Sequence, residues 1–422
     1  MIRVIDSIMG SGKTTYVTNL FNDMYNPSRN KERVIYVTPF LDEVSRIKKE
    51  CPETKFHEPD TESFRTKREH LSYLVDRGYN ITTTHSLFSM LTKDIYQKLR
   101  RSNYVLVLDE VMECVTTYDS LSKCDIKMLF DTKYMYEDKD TNDLIWDHGV
   151  NGDYGGKFNG VMNLCDNRKL TLYSGKVILE KFPADFLECF REVYILTYLF
   201  EGSAMSAYLK AHGHTYEMLT LSEDRRELKP WAEYGDESSR KSDLKQLITI
   251  YEGQANQVGT KVGKACPLSS TWYDTQARNR TGKLEVMKGS TGHFFKKVTE
   301  TKSSHNAWTV FKKHRNALQG DGYTKGWITY NCRATNQHIE KRSLAYLCNV
   351  YHNPNIVQYF KQRGIAFNQD LYALSEMLQW IWRSQVRRHD PIHLFIPSER
   401  MRNLLYLWLN TRSTPELISK LS

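Results

Sequence analysis

The chain has no long apolar run. No apolar run in its 422 residues approaches the ~20 residues a membrane helix needs, and Val193-Tyr194-Ile195-Leu196-Thr197-Tyr198-Leu199-Phe200 is among the longest. A secretory signal is not expected either, because the first residues read as a strand running into a glycine-containing turn. The eight cysteines, at 51, 114, 124, 165, 189, 266, 332 and 348, include no Cys-x-x-Cys pair. That argues against a zinc ribbon or a disulfide scaffold and fits a reducing cytoplasm. No internal repeat or low-complexity tract stands out. Hydrophobic residues make up 40% and charged residues 26% of the chain, so a packed core is available and wholesale disorder is excluded. The length allows roughly two to four domains.

Excess charge is small but local. The chain carries +9 in all, and the stretch from Arg278 to Arg315 alone holds ten basic residues against Glu285 and Glu300. Lys296, Lys297, Lys312 and Lys313 lie in it, and Phe294, Phe295, Trp308 and Phe311 are interleaved with them. Cations for phosphates and flat rings for bases suit a nucleic-acid strand. The plainer alternative is a solvated basic face whose aromatic residues point into the core.

Short apolar runs alternate with helical patterns over roughly residues 1 to 225. Ile2 to Ile5, Val34 to Val37, Tyr104 to Leu108 and Val193 to Leu196 read as buried strands of a parallel sheet, with helices between them at Thr14 to Met24 and Leu41 to Glu50. The alternation predicts a doubly wound α/β domain. Residues 115 to 190 are long for one crossover and read as an insertion, within which Lys169–Tyr173, Ser174-Gly175 and Lys176–Leu179 form a hairpin pattern. A charged stretch with Pro230 and Gly235, between Leu221 and Leu244, marks the domain boundary. Beyond it, Leu247–Tyr251, Trp327–Tyr330 and Ile392–Ile396 are predicted strands, and a long helix is predicted from about Asn368 to Arg388.

Residues 7 to 14 read Ser-Ile-Met-Gly-Ser-Gly-Lys-Thr, followed by Thr15. They match the phosphate-loop pattern except that Ser7 stands at the first Gly position. Gly10 and Gly12 let backbone N–H groups around Met9 and Ser11 curl about phosphate oxygens. Lys13 supplies a point charge for the β- and γ-phosphates, and the Thr14 hydroxyl suits Mg²⁺. The helix that follows turns its positive end to the anion. Asp109-Glu110 closes the apolar run Val105 to Leu108. An Asp there can hold Mg²⁺ through water, and the adjacent Glu can polarise an attacking water. Mg²⁺-dependent hydrolysis of a nucleoside triphosphate is the chemistry these pieces imply.

Near the C-terminus, Gln379, Arg383 and Arg387 are spaced i, i+4, i+8 and fall on one face of the predicted helix. Two arginines preceded by a Gln make a clamp for a γ-phosphate, with the arginines stabilising transition-state charge. A solvated basic helix face is the plain alternative.

With these residues in view, the chain resembles superfamily 2 helicase-type ATPases of the Asp-Glu-Ala-Asp/His class, which have two RecA-like lobes. Gly10 to Thr14 is similar to motif I and Asp109-Glu110 to motif II. Tyr36-Val37-Thr38-Pro39 resembles motif Ia, and Thr82-Thr83-Thr84-His85-Ser86 the next strand-end loop. Leu196-Thr197 stands where motif III is expected, Asn331 to Asn336 resembles the motif V region, and Gln379 to Arg387 resembles motif VI. The segment Trp308 to Trp408 also resembles bacteriophage helicases. The resemblance implies an α/β P-loop protein of two RecA-like lobes, residues 1–225 with an insertion at about 115–190 and residues 226–422 with a basic insertion at about 255–320. It implies ATP and Mg²⁺ between the lobes, with Arg383 and Arg387 closing the site, and Thr38, Pro39, Thr83, Thr84 and Arg333 at the nucleic-acid backbone. The chain departs from the pattern in having no Gln motif upstream of motif I, and motif VI lacks its usual glycines.

The implied function is an ATP-dependent helicase or translocase acting on DNA rather than RNA, in phage replication, recombination or repair. A monomer in the host cytoplasm is expected, with no membrane partner and with replication or recombination proteins as candidate partners. Two alternatives stay open. A DNA-packaging motor shares the phosphate loop and the Asp-Glu pair, although no carboxylate cluster of a nuclease follows residue 230. A non-translocating nucleotide-dependent clamp on nucleic acid is the other.

Overall fold

The computed structural model describes residues 1–24, 33–152, 154–263, 265–332 and 337–422. They form two compact units. The first comprises Met1–Asp6, Lys13–Leu219 and Asn353–Phe367, and the second Ser7–Gly12, Thr220–His352 and Asn368–Ser422.

The first unit is built on strands β1 (Ile2–Asp6), β2 (Arg33–Thr38), β3 (Ile81–Thr84), β4 (Tyr104–Asp109), β10 (Glu192–Thr197) and β11 (Tyr216–Leu221). They run side by side in the order β11-β1-β10-β4-β2-β3, and every pairing among them is parallel. A parallel sheet is covered on both faces, so its strands are apolar almost throughout. Val4, Ile35, Val37, Leu106, Leu108 and Ile195 accordingly share one core with Leu71, Leu74, Phe88, Leu99, Met205 and Tyr208 of the flanking helices. Each such side chain contributes about 1.5–3 kcal/mol on burial. The helix Leu41–Glu50 shows how the local sequence cooperates. Val44 and Ile47 face inward, Asp42 and Glu43 occupy the first turn, and Lys48 and Lys49 the last, which complements the helix dipole at both ends. The late helix Pro354–Gln362 adds Ile356, Tyr359 and Phe360 to the same core.

Between β4 and β10 lies a smaller antiparallel layer of β5 (Val115–Thr117), β8 (Leu170–Tyr173) and β9 (Val177–Lys181), with a separate hairpin of β6 (Met135–Glu137) and β7 (Leu144–Trp146). The predicted hairpin is present with Tyr173 opposite Val177, and its turn has Ser174 and Gly175 both at positive φ.

The second unit includes the short strand β12 (Leu228–Pro230) and a parallel sheet of β13 (Ile248–Ile250), β14 (Asn306–Thr309), β15 (Ser343–Tyr346) and β16 (Ile392–Phe395) in the order β13-β16-β15-β14. Three sequence-based expectations are corrected here. Trp327–Tyr330 is not a strand but makes a single bridge from Trp327 to Trp308. The Trp327 ring turns aside to meet the Arg315 guanidinium, and the Thr329 hydroxyl bonds Asn331 and bends the chain away. The helix predicted to reach Arg388 ends at Ile381. Ser384 is extended there, with its hydroxyl on the Ile381 carbonyl, and a 3-10 turn over Gln385–Arg388 follows. Serine competes for backbone partners in this way at helix ends. Gln379, Arg383 and Arg387 therefore do not lie on one continuous helix.

The third correction concerns the aromatic residues of the basic stretch. Phe294 and Phe295 are each 1% exposed and Trp308 is 0% exposed. They pack with Tyr273, Tyr323 and Phe395 in the core of this unit, and Phe311 packs against it. The Phe294 ring stacks on Phe395 at 5.4 Å. These rings are core, whereas Lys296, Lys297, Lys312 and Lys313 are exposed.

Candidate nucleotide site

Strand β1 ends at Asp6 and the next helix begins at Lys13, so residues 7 to 12 have no regular partners of their own. Two features hold the loop's shape. The Ser7 hydroxyl is buried 3.0 Å from Thr220 Oγ1 and accepts the Leu221 N–H at 2.9 Å, which gives a reason for serine at the first Gly position. The Ser11 N–H donates to the Ile8 carbonyl at 3.2 Å. Gly10 and Gly12 have φ of 71° and 95°, a region that side chains disfavour. A Cβ on Gly10 would lie 2.8 Å from the Arg240 guanidinium and 3.0 Å from the Trp382 ring, and one on Gly12 would lie 2.9 Å from Arg225 Cδ. Arg240 also donates to the Met9 carbonyl at 2.6 Å. Two arginines thus line this loop. Arg225 is set by a turn in which it takes φ 63°. The sequence carried no signal for either, because both fall in the charged boundary stretch.

Strand β10 lies between β1 and β4, and Asp109 ends β4. The Thr14 hydroxyl reaches Asp109 Oδ2 at 3.4 Å. The Tyr36 phenol donates to the same oxygen at 3.2 Å, and His85 Nε2 lies 3.1 Å from the Asp109 carbonyl. Burial, and next the charge of Glu110, pushes the Asp109 carboxyl up to about 7. Glu110 takes φ 74° and donates its N–H to the Leu196 carbonyl at 2.9 Å. Left-handed backbone at a non-glycine residue is a form of strain that gathers at functional sites.

A divalent cation fits this arrangement. A hydroxyl and a carboxylate that is reluctant to ionise stand side by side, and a cation is what would favour the charged carboxylate. Among the described residues no cluster of three or more His, Cys, Asp or Glu is present. An ion at Thr14 and Asp109 would therefore complete its shell with water and nucleotide phosphates, as Mg²⁺ commonly does.

The remaining predicted residues are less uniform. Thr15 is exposed. Thr38 is fully buried with its hydroxyl on the Phe40 carbonyl at 2.9 Å, and Pro39 is half-buried. Thr83 is buried, and Thr84 caps the helix His85–Ser89 through the Leu87 N–H. Gln379 and Arg383 are buried and Arg387 is exposed. Lys313 pairs with Asp274 at 2.7 Å. Arg333 lies outside the described residues. Besides Tyr36 and the two arginines, Asp6 was missed. It is buried and accepts the Leu199 and Phe200 N–H groups at 3.0 and 2.8 Å, tying the end of β1 to the loop after β10.

Two parallel sheets with a glycine loop after the first strand define an α/β protein. Among proteins of known sequence, the chain belongs to the YonV family. It is 37% identical over 422 residues to the SPbeta prophage-derived uncharacterized protein YonV of Bacillus subtilis (strain 168), a match covering 97% of this chain and 99% of that protein. Residues 242–409 match the YonV C-terminal Rossmann-like domain and residues 115–179 the YonV middle domain. Similar solved structures include apo XPD, with a TM-score of 0.48 and 12% identity over 96% of this chain and 95% of that one. Another is S. tokodaii Xpd4, with a TM-score of 0.49 and 12% identity over 96% and 93%. No helix among the described residues is long and apolar enough to cross a membrane.

Proposed function

We propose that this chain hydrolyses ATP with Mg²⁺ and uses the cycle to move along nucleic acid, as a helicase or translocase of the superfamily 2 type. The observation that carries the reading is the Thr14 hydroxyl beside Asp109 Oδ2 at 3.4 Å, immediately after a loop with two left-handed glycines. In this reading Lys13 meets the β- and γ-phosphates, and backbone N–H groups from Met9 to Thr15 receive phosphate oxygens. Thr14 and Asp109 hold the metal ion, which neutralises charge on the transferred phosphoryl group. Glu110 orients the attacking water. Gln379, Arg383 and Arg387 act on the γ-phosphate.

The nucleic-acid contacts belong to Thr38, Pro39, Thr83, Thr84 and Arg333, and to the exposed Lys296, Lys297, Lys312 and Lys313. Backbone contacts of this kind are independent of sequence, which suits a motor. DNA is the proposed strand, in phage replication, recombination or repair. The prophage origin of the relative supports that setting. The test is ATP hydrolysis measured with no nucleic acid, single-stranded DNA, duplex DNA, branched DNA and RNA. Stimulation by one of the DNA forms is the expected result. Hydrolysis that no nucleic acid changes would contradict the motor.

A further inference from the structure

We propose that Tyr36 is a positioning residue for the metal-holding carboxylate, fixing which oxygen of Asp109 faces the Thr14 hydroxyl. The inference deepens the proposed function and rests on it.

Three observations carry it. Tyr36 is 0% exposed, yet its phenol is not left without a partner. It donates at 3.2 Å to Asp109 Oδ2, the same oxygen that Thr14 Oγ1 reaches at 3.4 Å. An ionised carboxylate only accepts hydrogen bonds, and each oxygen has more than one lone-pair direction. A fixed donor on one direction sets the rotation of the carboxyl group and leaves the other directions for an ion.

Second, the donor is itself held. Strand β2 runs parallel to β4 with Tyr36 beside Val107 and Val37 beside Leu108, so the backbone places the phenol at the strand end where Asp109 sits. Its ring meets Phe21 edge-on at 6.4 Å and Phe56 at 6.3 Å. Phe21 belongs to the helix Lys13–Met24 that carries Thr14. One ring therefore indexes the helix with the hydroxyl against the strand with the carboxylate.

Third, the neighbours of Asp109 play different parts. His85 faces its backbone carbonyl rather than its carboxylate, and Glu110 can only add negative charge. Groups that hydrogen-bond a metal ligand typically change metal affinity by about 10–100-fold when removed.

The test uses Mn²⁺ as the probe. Its binding to the full chain with ADP is titrated by electron paramagnetic resonance for the wild type, Tyr36→Phe and Asp109→Asn. Binding of a fluorescent ADP without metal is measured alongside. Phenylalanine keeps the ring contacts and removes only the hydroxyl. The expected result is Mn²⁺ affinity about tenfold weaker in Tyr36→Phe, a larger loss in Asp109→Asn, and unchanged metal-free ADP binding in Tyr36→Phe. A merely structural role for the hydroxyl would weaken both measurements together and would overturn the proposal. Equal Mn²⁺ affinity in wild type and Tyr36→Phe overturns it too, while leaving the nucleotide reading in place. Failure of the wild type to bind Mn²⁺ with ADP overturns both.

Discussion

Thr14 Oγ1 stands 3.4 Å from Asp109 Oδ2 although the two residues are 95 positions apart. A helix N-terminus and a strand C-terminus bring them together, and β10 lies between the two strands that lead there. A hydroxyl and a carboxylate oxygen held this close are suited to a divalent cation that completes its shell with water and phosphate oxygens.

Gly10→Ala probes the loop. A left-handed backbone costs a side-chain-bearing residue about 1–2 kcal/mol, and the new methyl would meet Trp382 at 3.0 Å and Arg240 at 2.8 Å. Titration with a fluorescent ATP analogue should show affinity weakened about tenfold or more, with an unchanged circular dichroism spectrum.

The basic stretch separates into two kinds of residue with opposite expected effects. Reversing Lys296, Lys297, Lys312 and Lys313 to Glu should weaken DNA binding and flatten its dependence on salt, since each lost phosphate contact removes about 0.9 from the logarithmic slope on duplex DNA. Fold stability should change little, because Lys313 pairs with Asp274 from an exposed position and such pairs contribute about 0–1 kcal/mol. Phe294→Ala should do the reverse. It removes a buried ring that touches Tyr251, Phe295 and Phe395, and urea unfolding should report a loss of about 3–5 kcal/mol.

His212 sets a pH dependence of stability in the first unit. It packs against the Tyr208 ring at 4.4 Å, and burial, then the charges of Lys181, Arg363 and His214, lower it to about 4. The unfolded chain takes up a proton near 6.5, so stability is whole above that value and falls as pH drops toward 4. After screening by solvent the loss is about 1–2 kcal/mol. Denaturant unfolding between pH 7 and pH 4 should show a shallower decline in His212→Gln than in the wild type. Parallel curves would assign the acid sensitivity to other groups.

Strands β1, β2, β4 and β10 were legible in the sequence because a buried parallel strand is apolar almost without interruption. Val34–Val37 and Tyr104–Leu108 are compact apolar runs of strand length, and the glycine loop and Asp109 lie at the ends of two such strands. Strands β14 and β15 were not legible, since Asn306-Ala307-Trp308-Thr309 and Ser343-Leu344-Ala345-Tyr346 mix small and polar residues with single large ones. Trp327–Tyr330 carried a stronger pattern and yet makes one bridge. The spacing of Gln379, Arg383 and Arg387 presupposed an unbroken helix, and Ser384 breaks it. In the sequence Tyr36 belongs to a strand and to the segment resembling motif Ia, and its phenol acquires a partner only through a neighbour 73 positions away. Arg225 and Arg240 depend on tertiary placement alone.

The role of Lys13 is read from ATP hydrolysis by Lys13→Ala with Mg²⁺ and the most stimulating nucleic acid present, with thermal unfolding recorded on the same sample. Hydrolysis should be abolished while the unfolding transition stays where the wild type has it. Full hydrolytic activity in that folded variant would contradict the assignment of Lys13 to the triphosphate.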